Sequence, residues 1–197
     1  MSDSFVLDLP KVDAFAGTPI GSLHKFYLSG EVKKPDEYIQ WFDIIRNCSN
    51  NDIVKIYINS PGGDLFTAIQ FMRVLGDCEG KVITSVEGSC MSAATLIFLC
   101  ADQFEISNHS VFMFHNYSTI MGGKGGELYD SIMHERRWSE KIWREVYDGI
   151  LTESEIQQIL DNKDIWMDGD TVQERLEAKI QKLQEQQEEA DGIEAEG

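Results

Sequence analysis

Apolar positions along this chain fall into short runs whose repeat switches between two and about 3.6 residues. His24–Leu28 and Ile53–Ile58 read as strands, the second broken only by Lys55. A run that continuously apolar predicts a strand in a sheet covered on both faces. Between them, Tyr38, Ile39, Phe42 and Ile45 mark one helical face within Asp36–Asn47. After the turn Pro61-Gly62-Gly63, a second helical face carries Leu65, Ala68, Ile69, Met72 and Leu75. Strand Lys81–Val86, helix Met91–Cys100, and strands Phe104–Ile106 and Val111–Phe114 continue the alternation. This order predicts an α/β fold with a mainly parallel sheet and right-handed crossovers.

Beyond Phe114 the pattern changes. Ser118–Leu128 contains Met121-Gly-Gly-Lys-Gly-Gly126, an edge segment, and Glu127–Gly149 reads as one long helix with charges in its middle. A helix this long would protrude from a small α/β unit and need a partner for its Trp138, Ile142, Trp143, Val146 stripe. Thr152-Glu-Ser-Glu155 is a capping box that opens a helix over Glu153–Leu160. From Thr171, Val172, Leu176, Ile180 and Leu183 share a face before the sequence turns Gln/Glu-rich, which predicts disorder. The expected organisation is an arm over 1–22, a domain over 23–172 with the protruding segment at 118–149, and a helical then acidic tail over 173–197.

Seventeen basic residues against 34 acidic ones give a net charge of −17, six of the acids lying from Glu185 onward with no base among them. A surface that negative, with no basic patch, argues against nucleic acid and anionic membrane as partners. The longest apolar run, Ala93–Ala101, is too short to span a bilayer, and the first residues show no leader pattern. Cys48, Cys78, Cys90 and Cys100 have no CxxC spacing, so the reading is reduced thiols in a cytoplasmic protein. No clustered Cys/His set points to a metal, and the paired glycines lack the lysine-serine pattern of a phosphate loop. No cofactor is expected.

Chemistry concentrates at strand ends. Ser92 lies where a Gly/Ser-rich stretch becomes an apolar helix, a placement that also favours a developing anion through the helix dipole. Ile58-Asn-Ser-Pro-Gly-Gly63 ends a strand in a glycine turn, and Phe112-Met-Phe-His115 ends another in an imidazole. A hydroxyl, a backbone loop and an imidazole so placed are the parts of an acyl-transfer site. His115 is the natural base, because His24 is near the arm, His109 follows a turn and His134 sits among charges. Candidate carboxylates are many; Asp164 follows a capped helix and adjoins the apolar Ile165-Trp-Met167, with Asp161 and Asp168 as substitutes. The order Ser, His, Asp fits none of the α/β-hydrolase, chymotrypsin or subtilisin arrangements.

These motifs resemble the proteolytic subunits of the Clp protease over roughly Ser22 to Val172. Phe26-Tyr-Leu-Ser-Gly-Glu-Val32 is similar to an early family strand, and Tyr57-Ile-Asn-Ser-Pro-Gly-Gly63 matches a family motif letter for letter. Gly88-Ser-Cys-Met-Ser92, Val111-Phe-Met-Phe-His115 and Asn162-Lys-Asp164-Ile-Trp-Met resemble the segments bearing the triad. The resemblance implies Ser92 as nucleophile, His115 as base, Asp164 as third member, and the N–H groups of Gly63 and Ala93 as oxyanion donors. It implies the fold shared with crotonases: repeated β-α-β units with a strand-plus-helix handle. It also implies polypeptide substrates, stacked heptameric rings joined through the handle, and an AAA+ unfoldase partner.

Departures from the family pattern are local. Met91 and Ala94 replace smaller residues beside Ser92, and Asn162-Lys163 stands where an acid-Arg pair is usual. The groove that receives the unfoldase loop falls on Lys55, Tyr57 and Asp77, which predicts poor docking because two charges would be buried unpaired. Rival readings are a non-catalytic ring subunit, a crotonase-type acyl-CoA enzyme, and a Ser-Lys protease. The first would lack a triad member, the second has no need of Ser92 and His115, and the third would need a lysine in the Met91–Cys100 helix.

Overall fold

The computed structural model describes residues 21–118 and 122–195, with side chains through 188. The arm expected over 1–22 and the start of the Gly-rich segment therefore lie mostly outside the described residues. Strands β1 (Leu23–Ser29), β2 (Ile53–Ser60) and β3 (Lys81–Met91) pair in parallel, connected through α1 (Ile39–Arg46) and α2 (Leu65–Gly76). Helix α3 (Ala93–Phe98) then leads to β4 (Gln103–Ile106) and β5 (Val111–Phe114). β3 is long enough to take two parallel neighbours in succession, β4 along Ile83–Val86 and β5 along Ser89–Met91. α4 (Gly125–Val146) and α5 (Glu153–Leu160) follow, and β6 (Ile165–Asp168) closes the sheet antiparallel to β5. The chain ends in α6 (Gly169–Ala195).

The mainly parallel α/β architecture is the one the periodicity predicts. One expectation for β2 fails: it alternates, burying Val54, Ile56, Ile58 and Ser60 while Lys55 and Tyr57 stay partly exposed. α1, α2 and α3 supply Phe42, Ile45, Phe71, Val74, Leu96 and Phe98 to a single core on that buried face. The other face of β1 and β2 is open and carries the stacked pair Tyr27–Tyr57, ring centroids 4.8 Å apart.

The long helix also differs from expectation. Trp143 is buried, and Ile142 and Val146 pack against the core, so most of the stripe predicted to need a partner is covered by its own chain, Trp138 staying half-buried against Phe66. The reason is α4's final turns, which descend onto the sheet, with Trp143 and Tyr147 stacked at 5.7 Å. The uncovered apolar side chains lie earlier, at Tyr129 and Ile132, which are 65% and 50% exposed. Residues 122–124 form no strand before α4 begins. α6 continues to Ala195, past the point where composition predicts disorder, with i,i+4 bonds Gln173–Glu177 and Gln181–Glu185 along its polar face.

Candidate active site

Three strand ends converge at the carboxyl edge of the sheet. β3 delivers Ser92, β5 delivers His115, and the turn after β2 delivers Gly62 and Gly63. A register shift between Ile58 and Ser60 bends this edge, β2 skipping residues 87–89 of its neighbour. The Asn59 side chain fills the gap, its Oδ1 accepting from the Ser89 N–H and hydroxyl, both at 3.1 Å.

Ser92 takes a left-handed backbone, φ +54° and ψ −128°, an uncommon state for a residue with a side chain and worth about 1–3 kcal/mol of strain. The strain is held from both sides. The Ser92 N–H donates to the Met113 carbonyl at 2.8 Å, and its carbonyl accepts from the Thr95 N–H at 2.9 Å and hydroxyl at 2.7 Å. Although it precedes α3, the Ser92 side chain caps nothing. Its Oγ lies 2.6 Å from His115 Nε2, a short hydrogen bond.

Gly62 runs beside this turn so closely that a Cβ there would lie 2.5 Å from Ser92 Cβ and 2.6 Å from the Met91 carbonyl. Its φ of +92° demands glycine independently. A Cβ on Gly63 would strike the Val32 carbonyl, to which Asp64 N–H donates at 2.9 Å. Among the described residues, neither the Gly63 nor the Ala93 N–H has a hydrogen-bond partner, and both residues line the cleft at Ser92. That cleft, of 420 Å³, has apolar walls from Leu65, Phe66, Met113, Trp138 and Trp143. Phe66 and Trp138 stack at 5.6 Å across it.

Asp164 reaches the other side of the imidazole less closely. Its Oδ1 is 3.9 Å from His115 Nδ1, beyond hydrogen-bond range, and its side chain is 52% exposed. The position follows from how α5 ends: Asn162 is left-handed at φ +61°, its N–H donating to the Ile159 carbonyl and the Lys163 N–H to that of Gln158. Such a paired closure turns the chain sharply, delivering Asp164 to a polar cleft of 780 Å³ that also takes in His115, Asn116, Arg136 and Asn162. The substitutes do not pair with His115: the Thr171 hydroxyl and N–H hold the Asp168 carboxyl below the usual range, and Asp161, though it lines the same cleft, accepts from Gln157.

A family model described as Clp protease matches residues 30–179. This chain belongs to the Clp protease family. No curated protein matches it. Within the Clp frame, two features escape sequence reasoning. The Thr95 hydroxyl lies 2.8 Å from that of Tyr147, whose complete burial pushes its phenol well above its ordinary range. Asn116 accepts from the Trp143 indole N–H at 3.0 Å and from the Tyr117 N–H at 3.0 Å. Nothing in the local sequence signals Tyr147, 52 residues from Thr95; Asn116 could have been suspected as the neighbour of His115.

The two charges thought to bar an unfoldase loop are both paired, which corrects the argument made from sequence. Lys55 Nζ lies 2.7 and 2.8 Å from the Glu105 carboxylate and 5.1 Å from the Tyr57 ring, while Asp77 pairs with Arg73 at 2.9 Å. No described helix is long and apolar enough to cross a membrane.

Proposed function

We propose that the chain is a serine endopeptidase, within the peptidase class and oligomeric habit that Clp-family membership carries. The observation that supports this most is the 2.6 Å contact between Ser92 Oγ and His115 Nε2 at a strained turn. In this reading Ser92 Oγ attacks the scissile carbonyl while His115 takes its proton. The oxyanion is held by the N–H groups of Gly63 and Ala93. His115 then protonates the departing amine, and water cleaves the acyl-enzyme by the same route. Asp164 orients the imidazole, for which it must close by about 1 Å to reach hydrogen-bond length. The Phe66–Trp138 wall suits an apolar side chain next to the cleaved bond.

The wider reading assigns residues 23–172 to the peptidase, α4 and the segment before it to the handle, and the assembly to stacked heptameric rings in the cytoplasm. An AAA+ unfoldase loop would dock on the open face at Tyr27 and Tyr57, 58% and partly exposed respectively. ATP-dependent loss of a folded, tagged substrate would report that docking.

Fluorophosphonate labelling of the purified protein tests the core of the proposal. Mass mapping is expected to find the adduct on Ser92, and Ser92→Ala should lose both adduct and peptide hydrolysis, by several orders of magnitude. Labelling elsewhere, or wild-type turnover in Ser92→Ala, would reject it.

A further inference from the structure

At the opposite edge of the sheet, where the parallel strands begin, residues from three separate stretches of the sequence meet. His24 is the second residue of β1, Cys48 follows α1, Asp52 precedes β2, and Cys78 follows α2. Nitrogen, sulfur and oxygen ligand atoms of His24, Cys48 and Asp52 all lie within 4.8 Å of one another. The Cys78 side chain lies beside that of Cys48, just outside this group of three. The sequence spacing predicts no such gathering; folding alone creates it.

We propose that His24, Cys48 and Asp52, with Cys78 as fourth ligand, form a structural site for a divalent cation of the zinc class. The donor set decides the class. Thiolate and imidazole ligands suit a borderline-soft ion and not calcium or magnesium, which take oxygen. Four such groups match the closed tetrahedral shell of structural zinc. Bond lengths of about 2.0–2.3 Å place tetrahedral ligands roughly 3.3–3.8 Å apart, so His24, Cys48 and Asp52 need a contraction of about 1 Å, and the Cys78 side chain must swing in to complete the shell.

The surroundings suit ligation. Asp52 Oδ1 accepts from the Ser22 N–H at 2.6 Å, and Oδ2 from the Ser49 N–H and hydroxyl, both at 2.7 Å. These bonds fix the carboxylate as an outer shell does around a metal, and leave a lone pair on Oδ1. Cys48 is buried, its S–H donating to the Ile44 carbonyl at 3.3 Å, and must surrender that proton to solvent on binding, as must Cys78. β2 separates this edge from the Ser92 edge by about 23 Å of strand, so the ion has no part in peptide hydrolysis. Its effect is to tie β1, α1, α2 and the start of β2 together.

The test uses the full chain, freed of metal by a chelator and titrated with Co²⁺. One Co²⁺ per chain should bind with a thiolate-to-metal charge-transfer band, and Zn²⁺ in excess should erase that band and raise Tm by several degrees. His24→Gln and Cys78→Ser, at half-buried positions, should fold and bind Co²⁺ at least about tenfold more weakly. Cys48→Ser should lose the band furthest, and the other two variants keep the test decisive if it fails to fold. Binding without a thiolate band, which the acidic tail alone would give, overturns the proposal. So does unchanged affinity in both His24→Gln and Cys78→Ser.

Discussion

Ser92 directs its hydroxyl to His115 and leaves the N–H groups of α3 without a side-chain cap, so its turn must be held by backbone and neighbours. Gly62 and Thr95 do this. Gly62→Ala should lower kcat at least about tenfold, because the new methyl can be housed only by moving Ser92 off its geometry. Peptide turnover, with circular dichroism to confirm folding, checks it. Thr95→Val removes the hydroxyl that bonds the Ser92 carbonyl and strands the Tyr147 hydroxyl in a fully buried position. An unsatisfied buried hydroxyl costs about 1–3 kcal/mol, so urea unfolding should show that loss, and Tyr147→Phe a smaller one. Asp164, at 3.9 Å from His115, invites a graded result. Asp164→Asn should reduce kcat less than His115→Ala does, measured on the same peptide.

α5 and α6 are joined by the Glu155–Arg175 pair. Arg175 donates to both Glu155 oxygens at 2.7 and 3.0 Å, and Glu155 also closes the capping box with Thr152. The guanidinium hydrogen bonds hold the Glu155 carboxyl down at about 2, against an ordinary 4.5. A depressed carboxyl stabilises the fold fully above its unfolded value and loses that contribution as pH falls from 4.5 toward about 2. With solvent screening the contribution is of order 1–2 kcal/mol. Urea midpoints should fall through that window in the wild type and less steeply in Glu155→Gln. The box was readable in Thr152-Glu-Ser-Glu155, since its spacing is local; Arg175 was not, because only α6 folding back brings it near. β3 extends past Val86 for a similar reason: Glu87-Gly88-Ser89 breaks the apolar pattern, and pairing with β5 compensates.

At the scale of the molecule, Ser92, His115 and the glycine turn could be read because each ends a strand whose period is plain. The second face of β1 and β2 could be read only through the family resemblance, which put Tyr57 in a surface groove; the apolar pattern itself looks the same whether Tyr27 and Tyr57 are buried or open. The gathering of His24, Cys48, Asp52 and Cys78 could not be read, since no spacing announces it. Tyr129 and Ile132 on α4 are exposed, and the proposed ring stacking would cover them with a second copy. Ile132→Asp should shift sedimentation from a many-subunit species toward smaller ones.

α4 has two ends with different neighbours. Its outer turns show apolar side chains to whatever lies outside, while at its inner end Tyr147 touches Thr95, which bonds the Ser92 carbonyl, and Trp143 touches Asn116, the neighbour of His115. In the proposed assembly a rod so mounted would work as a crank: a subunit gripping the outer end would turn the parts that hold both serine and histidine. Dilution should therefore silence hydrolysis while each chain stays folded, and rate per chain should climb with concentration at saturating peptide.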